Sequence, residues 1–89
     1  MKPENNKNLT SLNFSVTGKK TTIEKVNVNQ PLRVAVQKAL KETGSTRPLD
    51  EYEVLYNNNI IDIDQKVETF NFPEDAVIFI SLKTGKGGN

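Results

Sequence analysis

The sequence predicts an α+β domain in which a single helix packs across a small mixed β-sheet. Three segments, 12–16, 22–28 and 51–56, have the apolar spacing of strands, and 76–82 is a continuous apolar run. Between them, 32–40 has the three-to-four-residue apolar spacing of a helix. A chain of 89 residues is long enough for one such domain with a modest core.

The amino-acid composition limits the classes of function that are possible. The chain has no cysteine and no histidine, so it lacks a thiol nucleophile and the commonest general base and metal ligand. Its 12 basic and 11 acidic residues give no electrostatic case for binding nucleic acid or a membrane surface. No stretch approaches the roughly 18 apolar residues of a membrane span, and the polar start lacks a secretion signal. We expect a soluble, cytoplasmic, monomeric protein that is not an enzyme and needs no cofactor.

The first two strands are predicted to form an antiparallel hairpin. Residues 1–8 are polar throughout and are expected to be a disordered lead-in to a domain spanning 9–83. Residues 18–20 supply the turn, and in the second strand Ile23 breaks the alternation, which indicates a bulge near Glu24. The apolar residues of the first strand are Leu12, Phe14 and Val16.

The helix has clear boundaries in the sequence. Residues 29–31 offer a polar cap followed by a proline in the first turn, and Gly44 is suited to a left-handed cap at the other end. Pro48 shows that the helix does not resume. The predicted core-facing stripe consists of Leu32, Val36, Ala39 and Leu40.

The second half of the chain returns to the sheet. Three asparagines at 57–59 predict a turn between a strand at 51–56 and a short strand at Ile60 and Ile61. The connection 62–72 is expected to be irregular and pinned to the core by Val67, Phe70 and Phe72, with Asp64 or Thr69 capping one short helical turn. Residues 73–75 turn the chain into the last strand. Its continuous apolar run predicts a central strand, parallel to the first and buried on both faces.

This order of elements, ββαββ with the first and last strands paired, describes a β-grasp fold. The stretch 58–62, the residues 69–72, and Ile78, Ile80 and Leu82 of the last strand resemble ubiquitin at corresponding spacing. Gly87 and Gly88 then fall where that family has its di-glycine end. The resemblance covers residues 12–88, and it is strongest to the bacterial ubiquitin-like modifier domains.

The resemblance implies a chemistry for the tail 84–89. In that family an E1-like activating enzyme adenylates the terminal carboxylate with ATP and Mg²⁺, and the acyl group then passes to a sulfur nucleophile. Glycine suits a tail that must enter a narrow channel, because it has no Cβ. By the same resemblance, an E2-like enzyme and a JAB-type metallopeptidase are expected partners, together with the target proteins.

Asn89 departs from a mature modifier, which ends at the second glycine. We therefore expect a precursor from which a peptidase removes Asn89 to expose the Gly88 carboxylate. Activation that tolerates one extra residue is an alternative. The glycines could also be incidental to a disordered end or an expression remnant.

A second candidate site is the outer face of the sheet, away from the helix. Leu55 is expected there, with Phe79 and Ser81 on the neighbouring strand and Lys83 and Lys86 beyond it, as a partner-binding patch. Alternatively, the tail or the lead-in covers Phe79. The remaining lysines are interpreted as a solvated surface, and the pair Asp62 and Asp64 as turn residues, since two carboxylates are too few for a calcium site.

Three functions remain open from the sequence. The first is a ubiquitin-like modifier joined to target proteins through Gly88. The second is a sulfur carrier that forms a C-terminal thiocarboxylate, against which Asn89 weighs. The third is a β-grasp interaction module that is not conjugated, for which the tail is incidental.

Overall fold

A computed structural model describes residues 8–83 of the chain. They form a five-stranded sheet in the order β2-β1-β5-β3-β4, with one long helix across one face. The elements are β1 (Leu9–Val16), β2 (Lys19–Asn27), α1 (Leu32–Glu42), a 3₁₀ turn (Leu49–Glu51), β3 (Tyr52–Tyr56), β4 (Asn59–Ile60), α2 (Val67–Phe70) and β5 (Val77–Leu82).

The hairpin of β1 and β2 contains the predicted bulge. Thr10 lies opposite Val26 and Leu12 opposite Ile23, so Ser11 faces two residues of β2. One of them, Lys25, has a φ of 58°. The extra residue turns both Ile23 and Val26 toward the core, where both are buried.

The two ends of this hairpin differ slightly from the prediction. The turn is limited to Thr17 and Gly18, both with positive φ, and β2 already begins at Lys19. At the open end, the Asn8 carbonyl accepts a hydrogen bond from the Val28 amide at 2.8 Å. Asn8 therefore belongs to the folded part and not to the lead-in; residues 1–7 of that lead-in lie outside the described part.

α1 packs the predicted stripe against the sheet. Leu32, Val36, Ala39 and Leu40 are buried, together with Ala35. The helix ends as predicted, because Gly44 has a φ of +74°. The Gly44 amide donates to the Lys41 carbonyl and the Ser45 amide donates to the Leu40 carbonyl, which is the Schellman arrangement.

The start of α1 is formed differently from the prediction. Pro31 is the cap residue and not part of the first turn, and within residues 8–83 no side chain caps it. Instead, the amides of Leu32 and Arg33 donate to the carbonyls of Gln65 and Ile63, at 2.9 and 2.8 Å. Backbone from the distant connection thus satisfies donors that a polar side chain was expected to satisfy.

The connection between β4 and β5 is bound to the segment before α1. The amides of Val67 and Glu68 donate to the carbonyls of Gln30 and Val28, both at 3.0 Å. Val67 is buried, and the rings of Phe70 and Phe72 stack at 5.1 Å. The pinning of this connection to the core was therefore predicted correctly, but the capping by Asp64 or Thr69 was wrong: α2 begins after Lys66, and no side chain in the described part caps it.

β5 lies at the centre of the sheet, as predicted. It runs parallel to β1 and antiparallel to β3. Ile78 and Ile80 are fully buried, but Val77 and Phe79 on the other face are 37% and 50% exposed. The prediction that β5 is buried on both faces was wrong, because α1 covers one face and nothing in residues 8–83 covers the other. Leu82, at the strand end, is also exposed.

Candidate partner-binding surface

The tail follows the central strand directly in the sequence. β5 ends at Leu82, and the Lys83 amide then donates to the Glu51 carbonyl at 2.9 Å. This bond fixes the point from which the tail starts, beside the start of β3. The predicted residues of the tail itself, Lys86, Gly87, Gly88 and Asn89, lie outside the described residues.

Three apolar side chains form a row across the outer face of the sheet. Leu55 lies directly opposite Phe79 on one side and opposite Ile60 on the other. Residues directly opposite each other in a sheet share a face. Phe79 is 50% exposed and Ile60 is 67% exposed. We call these three residues the outer row; two of them, Leu55 and Phe79, were predicted for this face.

The sequence analysis placed Ile60 in a short strand but missed its position on the outer face. The turn before Ile60 contains the information that places it on the outer face. A two-residue turn at Asn57 and Asn58, both with positive φ, pairs Tyr56 with Asn59 and Leu55 with Ile60. Placing Leu55 on the outer face therefore places Ile60 there too.

Apart from Val77 of β5, the part of the outer face beside this row is polar. Ser15 lies beside Phe79 and is itself buried. Asn13 donates from Nδ2 to the Ala76 carbonyl at 3.1 Å and accepts a hydrogen bond from the Thr22 hydroxyl at 2.9 Å. Ser81, predicted for the partner-binding patch, lies on this face opposite Glu53. The apolar part of the face is therefore confined to the β3–β5 half and its edge.

The acidic pair in the connection has structural partners. Asp64 Oδ1 lies 2.7 Å from both Nε and Nη2 of Arg33, and Asp62 Oδ1 accepts the Asp64 amide at 2.9 Å. This arrangement is turn chemistry of the predicted kind. Among residues 8–83 no group of three or more metal-ligating side chains is found, and no helix there is long and apolar enough to cross a membrane.

Solved structures with the same architecture define the fold. A de novo designed protein based on ubiquitin matches with a TM-score of 0.72 and 17% identity, over 92% of this chain and 98% of the design. Caldiarchaeum subterraneum ubiquitin matches with a TM-score of 0.69 and 13% identity, over 89% of this chain and 99% of that ubiquitin. A chain from the structure described as "Molecular Mimicry of SUMO promotes DNA repair" matches with a TM-score of 0.71 and 9% identity. The match covers 84% of this chain and 92% of that one. The chain therefore has the predicted ubiquitin-like β-grasp fold.

The sequence also places the chain in a family. A family model described as "Protein of Unknown function (DUF2604)" matches residues 5–88, and the chain belongs to this family. A protein of Sinorhizobium fredii (strain NBRC 101917 / NGR234), described as "Uncharacterized protein y4jI", is 36% identical over 75 residues. The aligned part is 82% of this chain and 57% of that protein, so the chain spans little more than half the length of this relative.

Proposed function

We propose that this chain is a bacterial ubiquitin-like modifier that is joined to target proteins through the carboxylate of Gly88. A JAB-type metallopeptidase cuts between Gly88 and Asn89. An E1-like enzyme then adenylates the new carboxylate with ATP, releasing pyrophosphate, and its thiolate displaces AMP to form a thioester. The acyl group passes by thioester exchange to the thiolate of an E2-like enzyme, which an amine of the target displaces to form an amide. The process belongs to the cytoplasm, where ATP is supplied.

The observation that carries this proposal is the position of the glycines relative to the fold. The ubiquitin-like domain ends at its central strand, and Lys83 is held by Glu51 at the start of the tail. The five residues that follow Lys83, up to Gly88, span at most about 18 Å when extended. The family match includes both glycines and stops before Asn89. The bacterial source of the relative supports a bacterial modifier.

The residue types of the tail suit entry into another protein's active site. Gly87 and Gly88 add no side chain to the backbone, so both walls of a narrow channel can approach the peptide closely. The chain supplies only the carboxylate. ATP, the metal that accompanies it and the nucleophilic thiolate all belong to the partner enzymes.

Mass spectrometry of conjugates tests the proposal directly, because Lys86 immediately precedes the glycine pair. The chain is expressed with an N-terminal tag in the organism that encodes it and purified under denaturing conditions. Trypsin cuts after Lys86 and leaves Gly87-Gly88 attached to the acceptor lysine. We expect peptides with this remnant, each from a target protein that was enriched with the tag.

Glycine variants provide the matched controls. Gly88→Val is expected to abolish the conjugates, whereas Gly85→Ala, in the same tail, is expected to retain most of them. Circular dichroism of both variants checks that the fold is intact. Conjugates that persist in Gly88→Val, or a wild-type chain that yields none in the organism that encodes it, would contradict the proposal.

A second candidate function, an interaction module that is not conjugated, is favoured by the exposed outer row. Such a module would retain its partners after residues 84–89 are deleted and lose them in Phe79→Ser. A modifier shows the opposite dependence on the tail. Intact mass of the activated chain separates both from the sulfur carrier, whose terminal carboxylate becomes a thiocarboxylate.

A further inference from the structure

An apolar groove lies at the edge of the sheet, next to the start of the tail. It has a volume of about 290 Å³. One wall is the 3₁₀ turn before β3, and the other is the end of β4 with the residues that follow it. The apolar side chains that line it are Leu49, Tyr52, Val54, Ile60, Ile61 and Ile63.

The groove exists because β4 is too short to cover its neighbour. β4 pairs with Leu55 and Tyr56, and the Ile61 amide adds one bond to the Val54 carbonyl. The chain then turns away through Asp62 to reach the start of α1. The part of β3 before Val54 is left without a strand on this side in the described part of the chain.

The rim of this groove is acidic. Asp50, Glu53 and Asp62 line it, and none of the three has a basic partner within 4 Å among residues 8–83. Arg33 also lines the groove, but its charge is balanced by Asp64 at 2.7 Å. Lys83 is then the one rim cation in the described region that no carboxylate offsets.

We propose that this groove binds a Leu- or Phe-sized side chain of a protein partner, flanked in the partner by Lys or Arg. The volume lies at the lower limit of small-molecule pockets, roughly 300 Å³, and suits a single anchoring side chain. The three carboxylates select for basic flanking residues, since opposite charges around an apolar anchor favour encounter and orientation.

The position of the groove connects it to the tail. Lys83 lines the groove and is also the residue from which the tail starts. Ile60 belongs to both the groove and the outer row. A partner whose side chain occupies the groove is therefore adjacent to the tail. That this partner is the enzyme acting on Gly88 rests on the function proposed above; the binding preference of the groove does not.

Nuclear magnetic resonance with two short peptides tests the binding preference. The ¹⁵N-labelled full chain is titrated with acetyl-Arg-Lys-Leu-Arg-amide and, separately, with acetyl-Glu-Asp-Leu-Glu-amide. We expect the basic peptide to shift the amide signals of Leu49, Ile61 and Lys83 in a saturable way, and the acidic peptide to leave them unchanged. Equal shifts with both peptides, shifts confined to β2 or β1, or no shifts with the basic peptide at millimolar concentration would overturn the proposal.

Variants that keep the fold show how much of the binding comes from the rim carboxylates and how much from the apolar side chains of the groove. Asp62→Asn retains the acceptor for the Asp64 amide, so the combined variant Asp50→Asn, Glu53→Gln and Asp62→Asn removes charge with little structural change. We expect it to bind the basic peptide about fivefold more weakly. Ile60→Ser, at a side chain that is already mostly exposed, should weaken binding about tenfold.

Matched controls are available away from the groove. Glu74→Gln removes an exposed carboxylate, and Val77→Ser removes a partly exposed apolar group of the outer face. Neither should change the affinity for the basic peptide; if either weakens binding as much as its groove counterpart, the assignment to the groove is wrong.

The same Ile60→Ser variant separates this inference from the proposed function. If wild type forms conjugates and Ile60→Ser forms them at the same rate with the same dependence on chain concentration, the partner in the groove is not the activating enzyme. If wild type forms no conjugates while the peptide result holds, the proposed function fails and the groove preference stands.

Discussion

The two faces of β5 differ sharply although five of the six residues of the strand are apolar. On the inner face Ile78 and Ile80 are fully buried under α1, and on the outer face Phe79 is half exposed. The difference shows that apolar character alone does not report burial in a domain this small. Only one helix among residues 8–83 is long enough to cover a sheet face, so no element of that part of the chain covers the second face.

Ile80→Ala is expected to have the largest effect and to sharpen this comparison. It leaves a cavity in a core that cannot collapse fully, so the free energy of unfolding should fall by about 3 kcal/mol. Urea denaturation followed by circular dichroism measures the change. A loss below about 1 kcal/mol would show that the inner face is less closely packed than the buried positions indicate.

Asn13→Ala is expected to have an intermediate effect, on the polar half of the outer face. It removes the bond to the Ala76 carbonyl and the acceptor of the Thr22 hydroxyl. The expected loss is about 1–2 kcal/mol in the same denaturation experiment. Thr22→Val, which leaves the bond to Ala76 in place, should cost less; the reverse order would contradict the role given to Asn13.

Phe79→Ser is expected to have the smallest effect on stability. The side chain is half exposed and loses mainly its cross-strand contact with Leu55, so the change should be below about 1 kcal/mol. The variant should also be more soluble, measured as the protein concentration at which aggregation begins. A loss as large as that of Ile80→Ala would mean that the two faces of β5 contribute equally to the core.

Local signals in the sequence predicted local structure well. Gly44 ends α1 because the left-handed conformation needed there favours glycine. The bulge at Glu24 follows from the broken alternation at Ile23. The exposure of Ile60 could have been derived from the turn of two asparagines, and its role in a groove could not, because the other wall comes from Leu49.

Predictions failed where the interacting residues are distant from each other in the chain. The start of α1 was expected to have a polar side-chain cap, and the carbonyls of Ile63 and Gln65 occupy that position instead. No local pattern specifies which remote carbonyls will arrive there. The prediction that β5 is buried on both faces failed for the same reason, because burial depends on what packs against the sheet and not on the strand itself. The proposed roles of Gly87 and Gly88, which lie outside the described residues, rest on the sequence.

The central position of β5 has a consequence for synthesis of the protein. The Asn13 side chain and the Ala76 carbonyl, which join β1 to the start of β5, are 63 residues apart. The ribosome therefore makes both edges of the sheet before the strand that lies between them. A nascent chain released before residue 82 lacks that strand and the glycines after it. We expect truncated products to be unfolded as well as tailless, so that proteases which degrade unfolded chains would remove them.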